Sequence, residues 1–169
     1  MSRDATFAAL MGGSQRSAVH LETRDVYLPD DAVYADWRAG VRLDPAERWR
    51  DWFDLVTATV ARGVVVRRAR VVSEPVTDYI RYEYEMTKAL NVAGGERVRW
   101  LSRRNAADLL VPCADFWVFD DRFVQFNHFA GDGAWQDVER TADPAVVKVC
   151  IEAFERVWDR SVDHEDYTV

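Results

Sequence analysis

The fold is decided by residues 62–76, which read RGVVVRRARVVSEPV. Valines flank three arginines between Val64 and Val72, a pattern that predicts a strand entering the core of a sheet. Gly63 suits the left-handed residue that ends a helix, and Ser73 suits the residue that caps the next one. A helix, a glycine, a valine-rich strand and a second helix in this order predict an α/β fold.

The segments on either side of this stretch carry the same kind of signal. Asp44 can cap a helix whose first turn contains Pro45, and Asp143 with Pro144 repeats that signature near the carboxyl end. The other elements are separated by turn residues. They are a short helix over 7–13, a strand over 17–28, a helix over 73–90, a strand over 98–101, a short helix over 103–110 and a hairpin of strands 115–119 and 123–129.

Length and composition predict one domain. The chain has 169 residues, of which 49% are hydrophobic, and it contains 8 glycines and 5 prolines without a low-complexity stretch. We predict a single α/β domain over residues 1–169, with a mixed, mostly parallel sheet flanked by helices. Within it we assign an amino-terminal strand and extension to 1–43, the α/β core to 44–160 and a tail to 161–169.

The charge of the chain argues against direct binding of nucleic acid. The net charge is −7 and the isoelectric point is near 5.0, so nucleic acid and anionic membranes are repelled overall. The distribution is uneven, because residues 62–104 carry ten basic and five acidic side chains, whereas residues 130–169 carry four and ten. This asymmetry indicates either an anion site in the basic middle or opposite solvated faces of one domain.

The sequence predicts a cytoplasmic protein without a metal or a cofactor. No apolar run approaches the roughly 20 residues of a membrane span, and the first ten residues do not resemble a signal peptide. Cys113 and Cys150 lack the spacing of a metal or redox motif, so we expect buried thiols.

The first candidate site lies where the valine-rich strand ends and a helix begins. Free N–H groups at a helix start, together with arginines, can hold a carboxylate or a phosphate. The alternative is a capped helix in which Glu74 pairs with a nearby arginine. The predicted ligand-binding residues of this site are Arg70, Ser73, Glu74, Asp78, Tyr79 and Arg81.

Two further candidates contain histidine. His20 and Glu22 share one face of a predicted strand, with Asp25 nearby, and such a set can ligate a metal or act as an oriented base. The alternative is a surface stripe or a structural histidine. Asn127 and His128, in the second hairpin strand, point to opposite faces if that strand is regular. We take His20, Glu22 and His128 as catalytic candidates and add Asn127 to the ligand-binding set.

The order of elements from Asp44 to Arg160 resembles the phospholipase-D-like α/β fold. This resemblance implies a fold that is also used without catalysis in bacterial regulators. Active members carry a His-x-Lys motif followed by a carboxylate, whereas His128 is followed by Phe129 and Ala130. The lysine is missing, and phosphoryl chemistry needs such a cation. The resemblance therefore implies the fold but not its catalysis.

The whole chain resembles more closely a family of uncharacterised actinobacterial proteins. The resemblance rests on HLETRD at 20–25, RVVSEPV at 70–76, DYIR at 78–81, VRWL at 98–101, DFW at 115–117, FNHF at 126–129 and GDG at 131–133. Members are often encoded beside helix-turn-helix regulators, so the resemblance implies such a regulator as a partner.

These observations predict a non-catalytic regulatory or binding module that recognises a small anionic ligand, a partner protein such as a DNA-binding regulator, or both. The alternative is an enzyme in which His20 or His128 is the general base and Arg70 with Arg81 holds an anionic substrate. That alternative requires the histidines and Arg70 to converge in one cleft. Direct DNA binding ranks last, because no predicted helix has a long basic face.

Overall fold

The computed structural model describes residues 5–27 and 31–169. Aspartates or a threonine cap several helices: Asp44, Thr77 and Asp143 each accept a hydrogen bond from a backbone N–H in the first turn that follows. Within the described ranges the helices are α1 (Ala5–Gly13), α2 (Ala32–Arg38), α3 (Pro45–Arg48), α4 (Arg50–Ala61), α5 (Asp78–Thr87) and α6 (Pro144–Arg160), with a π-helical turn (Lys88–Val92) after α5 and a 3-10 turn (Arg103–Ala106).

The strands form one mixed sheet of seven strands in the order β6-β5-β4-β1-β2-β3-β7. They are β1 (Ser17–Glu22), β2 (Val65–Val72), β3 (Arg97–Ser102), β4 (Asp115–Phe119), β5 (Phe123–Phe129), β6 (Trp135–Thr141) and β7 (Val162–Asp163). The predicted α/β class with a mixed sheet is confirmed. The sheet is less parallel than predicted, because only β1–β2 and β2–β3 are parallel and the other four pairs are antiparallel.

A short turn explains the antiparallel pairing of β4 with β5. Asp120, Asp121 and Arg122 join β4 to β5, and the first two have φ values of 53° and 56°, the left-handed conformation that tight hairpin turns require. The Asp120 carboxylate also accepts hydrogen bonds from the backbone N–H groups of Gln15, Arg16 and Ser17, which brings the start of β1 beside this turn.

Each strand sends alternate side chains to the two faces of the sheet. One face, which we call the α6 face, packs Val19, Ala69 and Val71 against Phe154 and its neighbours in α6. The other, the α5 face, packs Ala18 and Val66 against α1 and α4, and Val72 and Trp100 against Ile80 of α5. The alternation splits the arginines of β2, so that Arg67 lies on the α6 face and Arg68 and Arg70 lie on the α5 face.

The segments outside the predicted core are integrated into the sheet. β1, from the predicted amino-terminal extension, lies between β4 and β2. In the predicted tail, β7 pairs with β3, and the Trp100 indole donates to Nδ1 of His164 at 3.1 Å. The predicted strand over 17–28 ends at Glu22, and its last residue lies outside the described residues. The helix predicted over 103–110 is only the 3-10 turn.

Candidate functional site

The candidate site lies on the α5 face, where two neighbouring rows of side chains cross the central strands. In one row, Arg70 of β2 is in register with Glu22 of β1, and Asp115 of β4 is in register with Asn127 of β5. In the other, Arg68 is in register with His20, His20 with Trp117, and Trp117 with Gln125. The polar residues of these rows meet side chains from α5 and the turn before β3. We call this group the interior polar cluster: His20, Glu22, Arg68, Arg70, Glu83, Thr87, Asn91 and Glu96.

Glu22 is the centre of the interior polar cluster. Nη1 of Arg68 donates to its Oε1 at 2.5 Å, and Nε of Arg70 donates to its Oε2 at 2.6 Å. All three residues are buried. Burial alone raises the pKa of Glu22, but the charges of Arg68 and Arg70 outweigh it and hold this pKa well below its ordinary value. Glu22 is therefore ionised and bound on both oxygens.

The arginines have further partners around Glu22. Nε of Arg68 donates to Glu96 at 2.8 Å, and Asn91 donates to the other oxygen of Glu96. Nη1 of Arg70 donates to the Thr87 hydroxyl at 2.6 Å. Two guanidinium groups are thus bound by two carboxylates and a hydroxyl, an arrangement that satisfies the buried charges within the protein itself.

His20 lies in this cluster as a neutral ring. Burial lowers its pKa well below the ordinary value, and the charges of Arg68 and Arg70 lower it further against the opposing effect of Glu22. The imidazole stacks on the Trp117 ring with centroids 4.2 Å apart. Neither ring nitrogen has a hydrogen-bond partner among the residues that the structure describes. Nδ1 lies 3.5 Å from Oε1 of Glu22 but makes no hydrogen bond to it, so the ring is held mainly by its packing on Trp117.

Glu83, from α5, is a carboxyl group of the cluster whose pKa lies near neutral pH. Burial raises its pKa to about 7, against the charge of Arg70, whose Nη2 lies 3.9 Å from Oε1. The Glu83 side chain is 15% exposed. This carboxyl group gains or loses its proton near neutral pH, whereas Glu22 stays ionised.

The loops at the carboxyl ends of β1 and β2 are fastened to each other. Asp25 accepts hydrogen bonds from the backbone N–H and the hydroxyl of Ser73, both at 2.7 Å, and Arg103 donates to Ser73 and Asp25. Tyr27 donates to Asp115, whose other carboxylate oxygen binds Thr23. These contacts hold the edge of the sheet where the anion site was predicted.

The structure separates the residues predicted for that anion site. Arg70 is hydrogen-bonded to Glu22. The Ser73 hydroxyl donates to Asp25 and does not cap a helix, because Thr77 is the cap of α5. The remaining members lie apart. Glu74 accepts a hydrogen bond from the Tyr167 hydroxyl, Tyr79 packs among Tyr27, Tyr34 and Tyr82, and Asp78 and Arg81 lie in the first turn of α5.

The two histidines proposed as alternative bases do not converge. His20 points to the α5 face, whereas His128 points to the α6 face, where Nε2 is 3.5 Å from Glu139 and the side chain is 38% exposed. Asn127 does share the α5 face with Glu22 and Arg70, and its Oδ1 accepts from Gln125 at 3.1 Å. The cleft that the enzymatic alternative requires is therefore not formed by these histidines.

Sequence reasoning missed the partners that the helix supplies. Glu83, Thr87 and Asn91 follow each other at intervals of four residues, which places them on one face of a helix. The regular spacing of these polar residues along one face of the helix was the available signal. Glu96 had no comparable signal, because its place beside Arg68 depends on the turn before β3.

In residues 5–27 and 31–169, no group of three or more His, Cys, Asp or Glu side chains is arranged to hold a metal ion. Over the same ranges, no helix has the length and apolar character required to cross a lipid bilayer.

The fold of this α/β domain is similar to that of phospholipase D family structures. Nuc from Salmonella typhimurium, a phospholipase D family member, is similar with a TM-score of 0.56 and 13% identity over 94% of this chain and 88% of that one. NucT from Helicobacter pylori has a TM-score of 0.53 and 10% identity over the same shares. The predicted resemblance of fold is confirmed.

The chain belongs to the family described as domain of unknown function DUF6879, which it matches over residues 5–169. No curated protein matches the sequence. A third similar structure is TrmBL2, an archaeal chromatin protein with a novel mode of DNA binding; the TM-score is 0.50 and the identity is 12%. That match covers 93% of this chain and 49% of TrmBL2.

Proposed function

We propose that this protein is a non-catalytic binding domain built on the phospholipase-D-like fold, which recognises a partner protein such as a DNA-binding regulator, a small anionic ligand, or both. The observation that carries this proposal is the internal neutralisation of the interior polar cluster. Arg68 and Arg70 are bound by Glu22 and Glu96, so neither guanidinium is free to hold a transferring phosphoryl group.

The sequence supports the same conclusion. None of the three histidines is followed two positions later by lysine, and the chain has only Lys88 and Lys148. A nucleophilic histidine without a neighbouring cation lacks the electrostatic stabilisation that phosphoryl transfer requires. His20, the histidine nearest the arginines, is stacked and buried.

A DNA-binding partner fits the charge and the comparison with TrmBL2. The net charge of −7 opposes direct contact with DNA, so a protein of this charge is better suited to contact a regulator that itself binds DNA. The fold occurs in about half of a chromatin protein that binds DNA, which supports an association of such domains with DNA-binding chains.

Two measurements test the proposal. We expect no release of nitrophenolate from bis(4-nitrophenyl) phosphate above the buffer blank. Turnover that is lost in His20→Asn or His128→Asn would overturn the non-catalytic assignment. In calorimetric titration with a purified helix-turn-helix regulator encoded next to this protein, we expect saturable binding, and a flat titration would contradict the regulator as partner.

A further inference from the structure

A cleft of about 440 Å³ opens at the other edge of the sheet, where the parallel strands begin. We call it the amino-edge cleft. It lies on the α6 face, beneath the second half of α6, and its volume falls in the range of small-molecule sites. The lining residues that matter here are Arg16, Val65, Arg67, Arg97, Ile151 and Glu155.

The amino-edge cleft has one cation more than its carboxylates balance. Arg67 binds Glu155 through two hydrogen bonds of 2.9 and 2.6 Å, and Arg16 lies 3.7 Å from Asp121. Arg97 is exposed, and within residues 5–27 and 31–169 its side chain has no hydrogen-bond or ion-pair partner. In a chain of net charge −7, this leaves a local excess of positive charge on the cleft wall.

The position of Arg67 is set by packing. Its guanidinium lies 4.9 Å from the ring centroid of Phe154 and 5.2 Å from that of Trp158, both in α6. Cation–π contacts and the bidentate bond to Glu155 hold this group in one orientation. The cleft therefore has a fixed polar wall next to the exposed Arg97.

The cleft also has an apolar surface. Val65 is 40% exposed although it begins a central strand, and Ile151 of α6 lies on the other side. An exposed valine between arginines can contact the apolar body of a ligand whose charged group binds the guanidinium groups.

We propose that the amino-edge cleft binds a small organic anion, in which a phosphate or carboxylate group contacts Arg97 and Arg16 and an apolar body contacts Val65 and Ile151. This inference rests on the proposed binding function and names the class of ligand. It also moves the anion site from the carboxyl ends of the parallel strands, where Arg70 is already neutralised, to their amino ends.

Titration of the full chain with phenyl phosphate, benzoate and inorganic phosphate tests the inference. Saturable shifts in heteronuclear NMR spectra should appear at Val65, Arg97 and Ile151 with phenyl phosphate or benzoate, and inorganic phosphate should bind more weakly because it lacks the apolar body. The stronger of the two organic probes distinguishes a phosphate from a carboxylate as the preferred group.

Arg97→Ala is the decisive variant, and Arg104→Ala is its matched control. Both arginines are exposed, but Arg104 follows the carboxyl end of β3. We expect Arg97→Ala to raise the dissociation constant of the preferred probe by about fivefold or more, as for loss of a half-exposed charged contact. Arg104→Ala should leave it unchanged, and equal melting temperatures will show that both variants are folded.

The inference is overturned if none of the three probes shifts these residues, or if Arg97→Ala and Arg104→Ala weaken binding equally. Neither result changes the outcome expected in the hydrolysis assay or in the titration with a regulator, so the proposed function and this ligand site can fail separately. Binding that persists in Arg97→Ala but moves to residues outside the cleft would keep the binding function and reject the site.

Discussion

Consecutive arginines of one strand have opposite environments. Arg68 and Arg70 enter the interior polar cluster, where they are buried and bound by carboxylates, whereas Arg67 faces the amino-edge cleft beside the exposed Arg97. The alternation of a β-strand alone separates them. An arginine-rich strand is therefore not evidence for a ligand site until its register is known.

The comparison also separates stabilising charges from charges that can bind a ligand. In the interior polar cluster, each charge is deprived of water and depends on its neighbours, so loss of one partner leaves a buried charge. In the amino-edge cleft, water and dissolved ions compensate any unpaired charge, so a ligand can replace them at little cost. The first arrangement supports the fold, and the second supports recognition.

The largest expected effect follows from Glu22→Gln. This change keeps the shape of the side chain but removes the charge shared by Arg68 and Arg70, and loss of one member of a buried ion cluster costs about 3–5 kcal/mol. Urea unfolding at neutral pH measures it. The double variant with Arg70→Met should recover part of the loss, because it removes one of the unpaired charges.

Asp163→Asn is the control for this prediction. Asp163 pairs with Arg99 at 2.7 Å, but its side chain is 59% exposed, so the expected loss is at most about 1 kcal/mol. Equal losses from the two variants would mean that burial does not distinguish the two pairs.

The second effect concerns the pH dependence of stability through Glu83. The pKa of this group is 4.5 in its ordinary state and about 7 in the folded chain, so between these values the folded state binds a proton that the unfolded state does not. The stabilisation from Glu83 is therefore complete below pH 4.5 and is lost as the pH rises to 7, with a magnitude of about 3 kcal/mol at most.

Unfolding free energies of the wild type and Glu83→Gln at pH 5 and pH 8 measure this contribution. The wild-type value minus the variant value should be smaller at pH 8. Subtracting the variant's unfolding free energy from that of the wild type cancels the contributions of Glu22 and His20. The pKa values of these two groups are lowered in the folded chain, so their contributions to stability change with pH in the direction opposite to that of Glu83. The exposed Glu85→Gln, on the same helix, should leave the pH profile unchanged, and a parallel profile for Glu83→Gln would contradict the prediction.

The sequence predicted the central strands well, because they are rich in valine and aromatic residues, which favour strands. The predicted strand from Val64 to Val72 differs by one residue from β2, and both strands of the predicted hairpin have the observed bounds. β6 was missed, because an edge strand that is mostly exposed has no apolar period to detect. Trp135, at its start, is 48% exposed.

The site was less predictable than the strands. Glu22 and Arg70 were both singled out, but in separate candidates, because their contact depends on the parallel register of β1 with β2. A single sequence does not determine which residue of β1 pairs with which residue of β2. Ser73 was taken as a helix cap by its type alone, and its true partner, Asp25, lies 48 positions away in a different loop.

The smallest expected effect concerns the amino-edge cleft, the exposed region of the two compared. Glu155→Gln in the amino-edge cleft frees Arg67 from its carboxylate, and since the Glu155 side chain is 42% exposed, the loss of stability should be at most about 1 kcal/mol. Binding of phenyl phosphate should strengthen by about two- to threefold, because a repelling charge is removed and a guanidinium is released.

Glu152→Gln, one turn earlier in α6 and paired with Arg156 at 3.2 Å, is the control and should change neither quantity appreciably. A dissociation constant that rises in Glu155→Gln would mean that the pair with Arg67 organises the cleft instead of competing with the ligand. The paired arginines of the amino-edge cleft would then have a structural role, as those of the interior polar cluster do, and the two groups would differ only in exposure.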